Sequence, residues 1–387
     1  MKPRVVIVGP VPPPYHGITV STQRILDSKL AEEFELIHLD TSDHRDMDNI
    51  GKIDFANASG ALRQAFKCAW ICATKRPDIL YTTINANVAF LRDGLFILIG
   101  RWLGGAKVVI HLRGGTFTEF YDSSPWPVRR FVDLAMRRVE RAIILGANMK
   151  NLFVRWLVPE RIDIIPNGTP FHPGEEAINT SQRGRRPFVV AFLGNLIKEK
   201  GVVDTVKAAA LLADKVGKIE FRFAGAWWSY DDAKPEIEAL VGSDPRVKEA
   251  VKILGVLKGE EKERFLLDSD VLVFPTYYRG EGHPNVIIEA MAAGLPVIAT
   301  DYVAISETVV DGVTGWLVPP RSPAVLADRI QTLILNPELR ASMGKASRER
   351  FLANYTQEKN ISDMAVSFRR TFCEQGSKTQ GTGVCAA

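Results

Sequence analysis

Two carboxylates, Glu281 and Glu289, stand with seven residues between them in the stretch 278–298, YRGEGHPNVIIEAMAAGLPVI. Gly282 and Pro284 suit a tight loop that opens a helix, because proline is tolerated in a first helical turn. Ile287, Ile288, Met291 and Ala292 supply one apolar helical face. Gly294 and Pro296 form a stop signal, and Val297–Ala299 reads as the next buried strand. A helix start offers unpaired N–H groups and the positive end of a dipole, so Gly282, His283, Pro284 and Asn285 frame a place for an anion. Glu281, in the loop, can accept hydrogen bonds from hydroxyls. Glu289 reads as about two turns into the helix, roughly 7 to 12 Å away by helical rise. A diphosphate-linked ligand would be held at both ends by such a pair. The competing reading is a surface loop glutamate and an ordinary helix glutamate.

Other residues bear on the same chemistry. Lys200 lies in the loop GNLIKEKG after a strand, just before Gly201 and a helix start, where a cation meets a phosphate. His111 stands at the C-terminal end of a strand, where open α/β sheets bind their ligands. The loop GPVPPPYHG after the first strand is not a dinucleotide fingerprint, yet its Gly17 opens a helix. Asp46 and Asp48 form a D-x-D, which could hold a divalent ion and through it a diphosphate.

The stretch EGHPNVIIEAMAAGLPV resembles the Glu-x7-Glu motif of the family 4 retaining glycosyltransferases, E-G-x-x-x-x-x-x-E-A-x-A-x-G-x-P-V. The resemblance runs on through the chain. GNLIKEKG is similar to G-R-L-x-x-x-K-G, with Lys200 on the lysine and Asn195 in place of the arginine. GPVPPPYHG is similar to a loop ending P-x-x-G-G, with His16 in place of the first glycine and Gly17 on the second. HLRGG resembles a strand-end H-x-H-G or H-x-R-G, and IPNGTPF resembles I-P-N-G-V-D. The resemblance implies an α/β chain of GT-B fold: two Rossmann-like doubly wound domains facing across a cleft, working on a nucleotide-sugar donor. It implies that Glu281 holds the donor sugar hydroxyls and Glu289 the ribose. Lys200 and the Gly17 amide would lie against the diphosphate, Val256 would frame the base, and His111 or Arg113 would touch the donor sugar. The implied catalytic residues are Glu281, Lys200 and His111; the implied donor contacts are Gly17, Asn195, Lys200, Val256, Glu281, Gly282, His283, Pro284, Asn285 and Glu289. No metal and no cofactor is expected, the substrate being a UDP- or GDP-sugar; D-x-D belongs to the other major glycosyltransferase fold.

The elements that must position these residues alternate strand and helix. The chain's 387 residues exceed one ordinary core and predict two domains. Residues 1–170 read as an N-terminal Rossmann-like domain on the acceptor side, 171–187 as a polar linker, and 188–355 as a donor-side Rossmann-like domain. Residues 356–375 read as a helix crossing back to the first domain, and 376–387 as a disordered tail. A net charge of only +4 gives no case for nucleic acid. The four cysteines make no zinc spacing and no C-x-x-C; Cys68 and Cys72 fit one helix face as small apolar residues. Trp227 and Trp228 follow a strand, to cover the core or to stack on a base or sugar.

The N-terminus runs straight into a strand with no signal-peptide pattern, and no apolar run reaches membrane-spanning length. The expected location is cytoplasmic. Val128–Glu140 reads as an amphipathic helix with Arg129, Arg130, Arg137 and Arg138 off its apolar face. It is a solvated helix face, or a peripheral contact with anionic lipid on the inner membrane face, as would suit a lipid-linked acceptor. The function expected is retaining sugar transfer from a nucleoside-diphosphate sugar to an acceptor hydroxyl, in polysaccharide or lipid-linked glycan synthesis. The rivals are a non-catalytic nucleotide-sugar-binding subunit and an epimerase of the same fold.

Overall fold

A computed structural model describes residues 2–13, 17–42, 55–178, 187–213, 215–228, 231 and 233–373. His16, Asp46, Asp48 and the predicted tail lie outside the described residues. The chain divides into two compact units, one formed by Met1–Pro166 with the chain from Glu358, the other by Asn167–Gln357.

The first unit carries a parallel sheet of β1 (Arg4–Gly9), β2 (Glu35–Asp40), β3 (Ile79–Ile84), β4 (Lys107–Leu112), β5 (Val139–Ile144) and β6 (Ile162–Ile164), in the order β2-β1-β3-β4-β5-β6. Its central strands are β-branched runs buried on both faces, as a covered parallel sheet requires. The helices between them are α1 (Gly17–Leu26), α2 (Leu30–Glu33), α3 (Phe55–Lys75), α4 (Phe90–Trp102), α5 (Phe117–Ser123) and α6 (Trp126–Met136). α4 packs beside both α3 and α6, as expected when crossovers of the usual right hand place them on one face of the sheet.

The second unit carries β7 (Phe188–Leu193), β8 (Ile219–Ala224), β9 (Val251–Gly255), β10 (Val271–Phe274), β11 (Val297–Thr300) and β12 (Gly315–Val318), all parallel, in the order β12-β11-β10-β7-β8-β9. Its helices are α7 (Val202–Leu212), α8 (Ala233–Ser243), α9 (Pro245–Ala250), α10 (Gly259–Leu267), α11 (Asn285–Ala292), α12 (Ile305–Thr308), α13 (Pro323–Leu335) and α14 (Pro337–Asn354). The chain enters and leaves this unit side by side: the Thr169 N–H donates to Tyr355 O, and the Gln357 N–H donates to Thr169 O.

The last helix, α15 (Gln357–Cys373), packs on the first unit's sheet. Phe368 meets Phe34 and Tyr81 edge to face, with ring centroids 5.7 and 5.8 Å away. Lys107 donates from Nζ to the carbonyls of Thr371 and Phe372, at 2.6 and 2.9 Å, satisfying the helix end's orphan acceptors with a cation.

Each sheet reverses its strand order once, between β1 and β3 in the first unit and between β7 and β10 in the second. Crevices open at the carboxyl ends of strands at such points. The helix expected over Val128–Glu140 is shorter than its pattern implies. It stops at Met136, and Val139 and Glu140 start β5. Its apolar residues Val132, Ala135 and Met136 are buried, with Phe131 packed toward Gly94 of α4. α6 therefore presents arginines to solvent and buries these three residues, while its Trp126 and Leu134 stay 63% and 40% exposed.

Candidate active site

The second unit's switch point gathers the residues of most chemical interest. Lys200 ends the loop after β7, and Glu281 lies in the loop after β10, the two strands that flank the reversal. The loops are tied together through the backbone: Glu199 O accepts the Tyr277 N–H at 2.7 Å and the Thr276 hydroxyl at 3.3 Å. Lys200 is then held by Gly201, whose φ of +82° turns the chain into α7. A Cβ at Gly201 would stand 2.5 Å from Pro275 O, so only glycine fits.

The Lys200 ammonium donates to Glu281 Oε2 at 2.5 Å, with side chains 15% and 10% exposed. It lies between the rings of Phe274 and Tyr278, 5.3 and 5.1 Å from their centroids. Thr276 Oγ1 approaches the same Glu281 oxygen at 3.4 Å. Burial raises the Tyr278 hydroxyl pKa, and the carboxylates of Glu281 and Glu199 raise it further, so the phenol stays protonated and able to donate.

Beyond Glu281 the chain turns through Gly282, His283 and Pro284, all buried, into α11. No side chain caps the helix, so its first N–H groups are left for another acceptor. Asn285, its first residue, has a buried Oδ1 without a hydrogen-bond partner. His283 does different work. Its Nδ1 accepts the Asn167 N–H at 3.2 Å, and its Nε2 pairs with the Thr308 hydroxyl at 2.8 Å. The His283 carbonyl accepts from Asn167 Nδ2 at 2.8 Å. Burial lowers its pKa to about 4, so the ring is neutral and fixes the loop.

Glu289 is the fifth residue of α11, a little over one turn in rather than two. Its side chain is 4% exposed and accepts from Lys262 Nζ of α10 at 2.7 Å. One carboxylate oxygen is thereby occupied by a cation.

Glycines shape the crevice at the ends of β7 and β8. A Cβ at Gly225 would fall 1.8 Å from Gly194 O, so the backbones after these strands touch. Asn195 follows Gly194, its carbonyl accepting the Ile197 N–H. Lys198, another cation of the loop after β7, pairs with Glu236 of α8 at 3.0 Å. Val256 follows β9 and is 54% exposed. Trp227 packs against the core and pairs through its backbone with Leu196, which favours the core-covering reading for that ring.

In the first unit, Gly17 is the first residue of α1. Arg113, two residues past His111, donates to Ser21 of α1 at 2.9 Å, so the end of β4 is tied to the middle of that helix. His111 is 1% exposed, its Nδ1 paired with the Tyr81 hydroxyl at 2.8 Å, and its Nε2 buried without a partner. Burial and the Arg113 charge lower its pKa well below the usual histidine range, so it is neutral. Of the two strand-end candidates, Arg113 is the more exposed.

Sequence reading missed Lys262, Thr276, Phe274 and Tyr278. Lys262 lies 27 residues before its partner in a helix crowded with charges, so nothing local marks it. Phe274 and Tyr278 flank the motif and read as strand and loop.

The fold is GT-B. The crystal structure of Anabaena Alr3699/HepE in complex with UDP superposes with a TM-score of 0.70 at 17% identity, over 96% of this chain and 100% of that one. Residues 175–350, within the second unit, match the family described as Glycosyl transferases group 1. The chain is 30% identical over 168 residues to the alpha-D-kanosaminyltransferase of Streptomyces kanamyceticus, covering 43% of this chain and 42% of that protein. It is 28% identical over 188 residues to the capsular polysaccharide biosynthesis glycosyltransferase CapM of Staphylococcus aureus, covering 49% of this chain and 47% of that protein. The matches thus span less than half the length of these curated relatives.

Proposed function

We propose that the chain is a retaining glycosyltransferase that moves a sugar from a nucleoside-diphosphate sugar to an acceptor hydroxyl, without a metal, in polysaccharide or lipid-linked glycan synthesis at the cytoplasmic side of a membrane. The observation that carries the reading is the Lys200–Glu281 ion pair beside the uncapped start of α11, with Glu289 one turn further on. The family match over 175–350 and the glycosyltransferase names of the relatives support it. The structures of the Anabaena protein in complex with UDP and with UDP-glucose support the donor class.

In this reading the C1–oxygen bond to the diphosphate breaks, and the acceptor oxygen bonds to C1 on the same face. The acceptor proton passes to the departing phosphate oxygen. Negative charge develops on the leaving group, and Lys200 and the α11 N–H groups stabilise it. Glu281 orients the sugar hydroxyls, and Glu289, steadied by Lys262, the ribose. His283 acts through its loop rather than by touching the donor. For His111, burial favours holding Arg113 and Tyr81 in place, leaving Arg113, the less buried of the two, as the candidate for the donor sugar.

The test is incubation with a panel of UDP-, GDP- and ADP-sugars and simple glycan acceptors. Nucleoside diphosphate is assayed, and the product's anomeric configuration is read by NMR. The reading expects release of one nucleoside diphosphate and an anomer matching the donor's. An inverted product would overturn the retaining assignment. Binding without consumption would support the non-catalytic subunit.

A further inference from the structure

We infer that the first unit docks on an anionic lipid surface through the outer face of α3, joined by the end of α4. The observation is a row of large apolar side chains left in solvent. Leu62, Phe66 and Trp70 recur every fourth residue along α3 and are 68%, 74% and 66% exposed. Side chains at that spacing stack on one helix face. Arg63 and Lys67 are exposed beside them, and α3 contains no aspartate or glutamate. α4 packs alongside and exposes Trp102 at its C-terminal end, with the Arg138 guanidinium 5.7 Å from that ring.

Charge decides the occupant. Every fully exposed charged residue on α3, α4 and α6 is lysine or arginine, although the whole chain carries only +4. Asp93 of α4 is buried, and Asp133 of α6 accepts from Tyr121 and Trp156. A one-signed face with protruding tryptophan and phenylalanine matches a headgroup layer, where aromatic rings sit at the interface and cations meet lipid phosphates. No helix among the described residues is long and apolar enough to cross a membrane, so the contact lies on the surface. α6 adds arginines and one exposed ring, Trp126, 63% exposed with the Arg130 guanidinium 5.5 Å from its centroid.

The inference needs no donor and stands apart from the transfer reading. The test is flotation of the full chain with vesicles of phosphatidylcholine alone and of phosphatidylcholine mixed with phosphatidylglycerol. The wild type is expected to float with the mixed vesicles only, and less as salt rises. The F66S/W70S pair and the R63E/K67E pair should each weaken binding about tenfold or more while melting as the wild type does, since all four side chains are exposed. Failure of the wild type to bind mixed vesicles, or equal binding by the F66S/W70S pair, would overturn the inference. So would a wild-type dimer in sedimentation that this pair renders monomeric, because the face would then serve a second copy.

Discussion

Lys200 is the residue on which the account turns. Its ammonium is flanked by two rings and paired with a carboxylate, so its charge is directed at Glu281. A diphosphate would compete for that charge. Lys200→Ala is expected to lower transfer by about a hundredfold to a thousandfold, the range for removing one group aimed at developing negative charge, with the circular dichroism spectrum unchanged. Lys262→Met tests a different role. Without its partner the buried Glu289 loses a charge-assisted hydrogen bond, and the donor KM should rise about tenfold with a smaller change in kcat. An unchanged KM would remove Lys262 from the site. Glu281, Glu289 and Lys200 were legible because motif and helix-start chemistry coincide there. Lys262 was not, because an ion pair between helices leaves no local trace.

At the scale of elements, glycines and a buried histidine set the loops. Gly201→Ala would place a Cβ against Pro275 O and a non-glycine residue at φ +82°. The expected cost is about 2 kcal/mol. Scanning calorimetry should show the second unit melting about 4 to 8 °C lower. His283 makes stability depend on pH. Its folded pKa is about 4 and its unfolded value near 6.5, so the unfolded chain binds the extra proton between them. Stability is complete above about pH 6.5 and falls as pH drops toward about 4, by on the order of a few kcal/mol. His111, also lowered, acts in the same direction. Denaturant midpoints against pH should show this slope, and His283→Gln should flatten it. The elements themselves were largely legible, since buried β-branched strands and Gly-terminated helices carry strong local signals. The end of α6 was not: Val139 continues the helical periodicity, but pairing with β4 claims it for the sheet.

For the whole molecule, length predicted two domains and the family resemblance implied two Rossmann-like ones; the structure has two parallel sheets, each with one reversal of strand order. Which apolar residues remain outside was hidden in the sequence. Leu62, Phe66 and Trp70 share their helix with buried Cys68 and Cys72, and only the packed neighbours tell the two faces apart. The most direct test of the central claim is calorimetric titration of UDP-, GDP- and ADP-sugars into the wild type and Lys200→Ala, in the presence of EDTA. The account predicts that one nucleotide class binds the wild type despite the chelator and binds Lys200→Ala at least about tenfold more weakly. Equal affinity in the two proteins, or no binding of any nucleotide sugar, would contradict it.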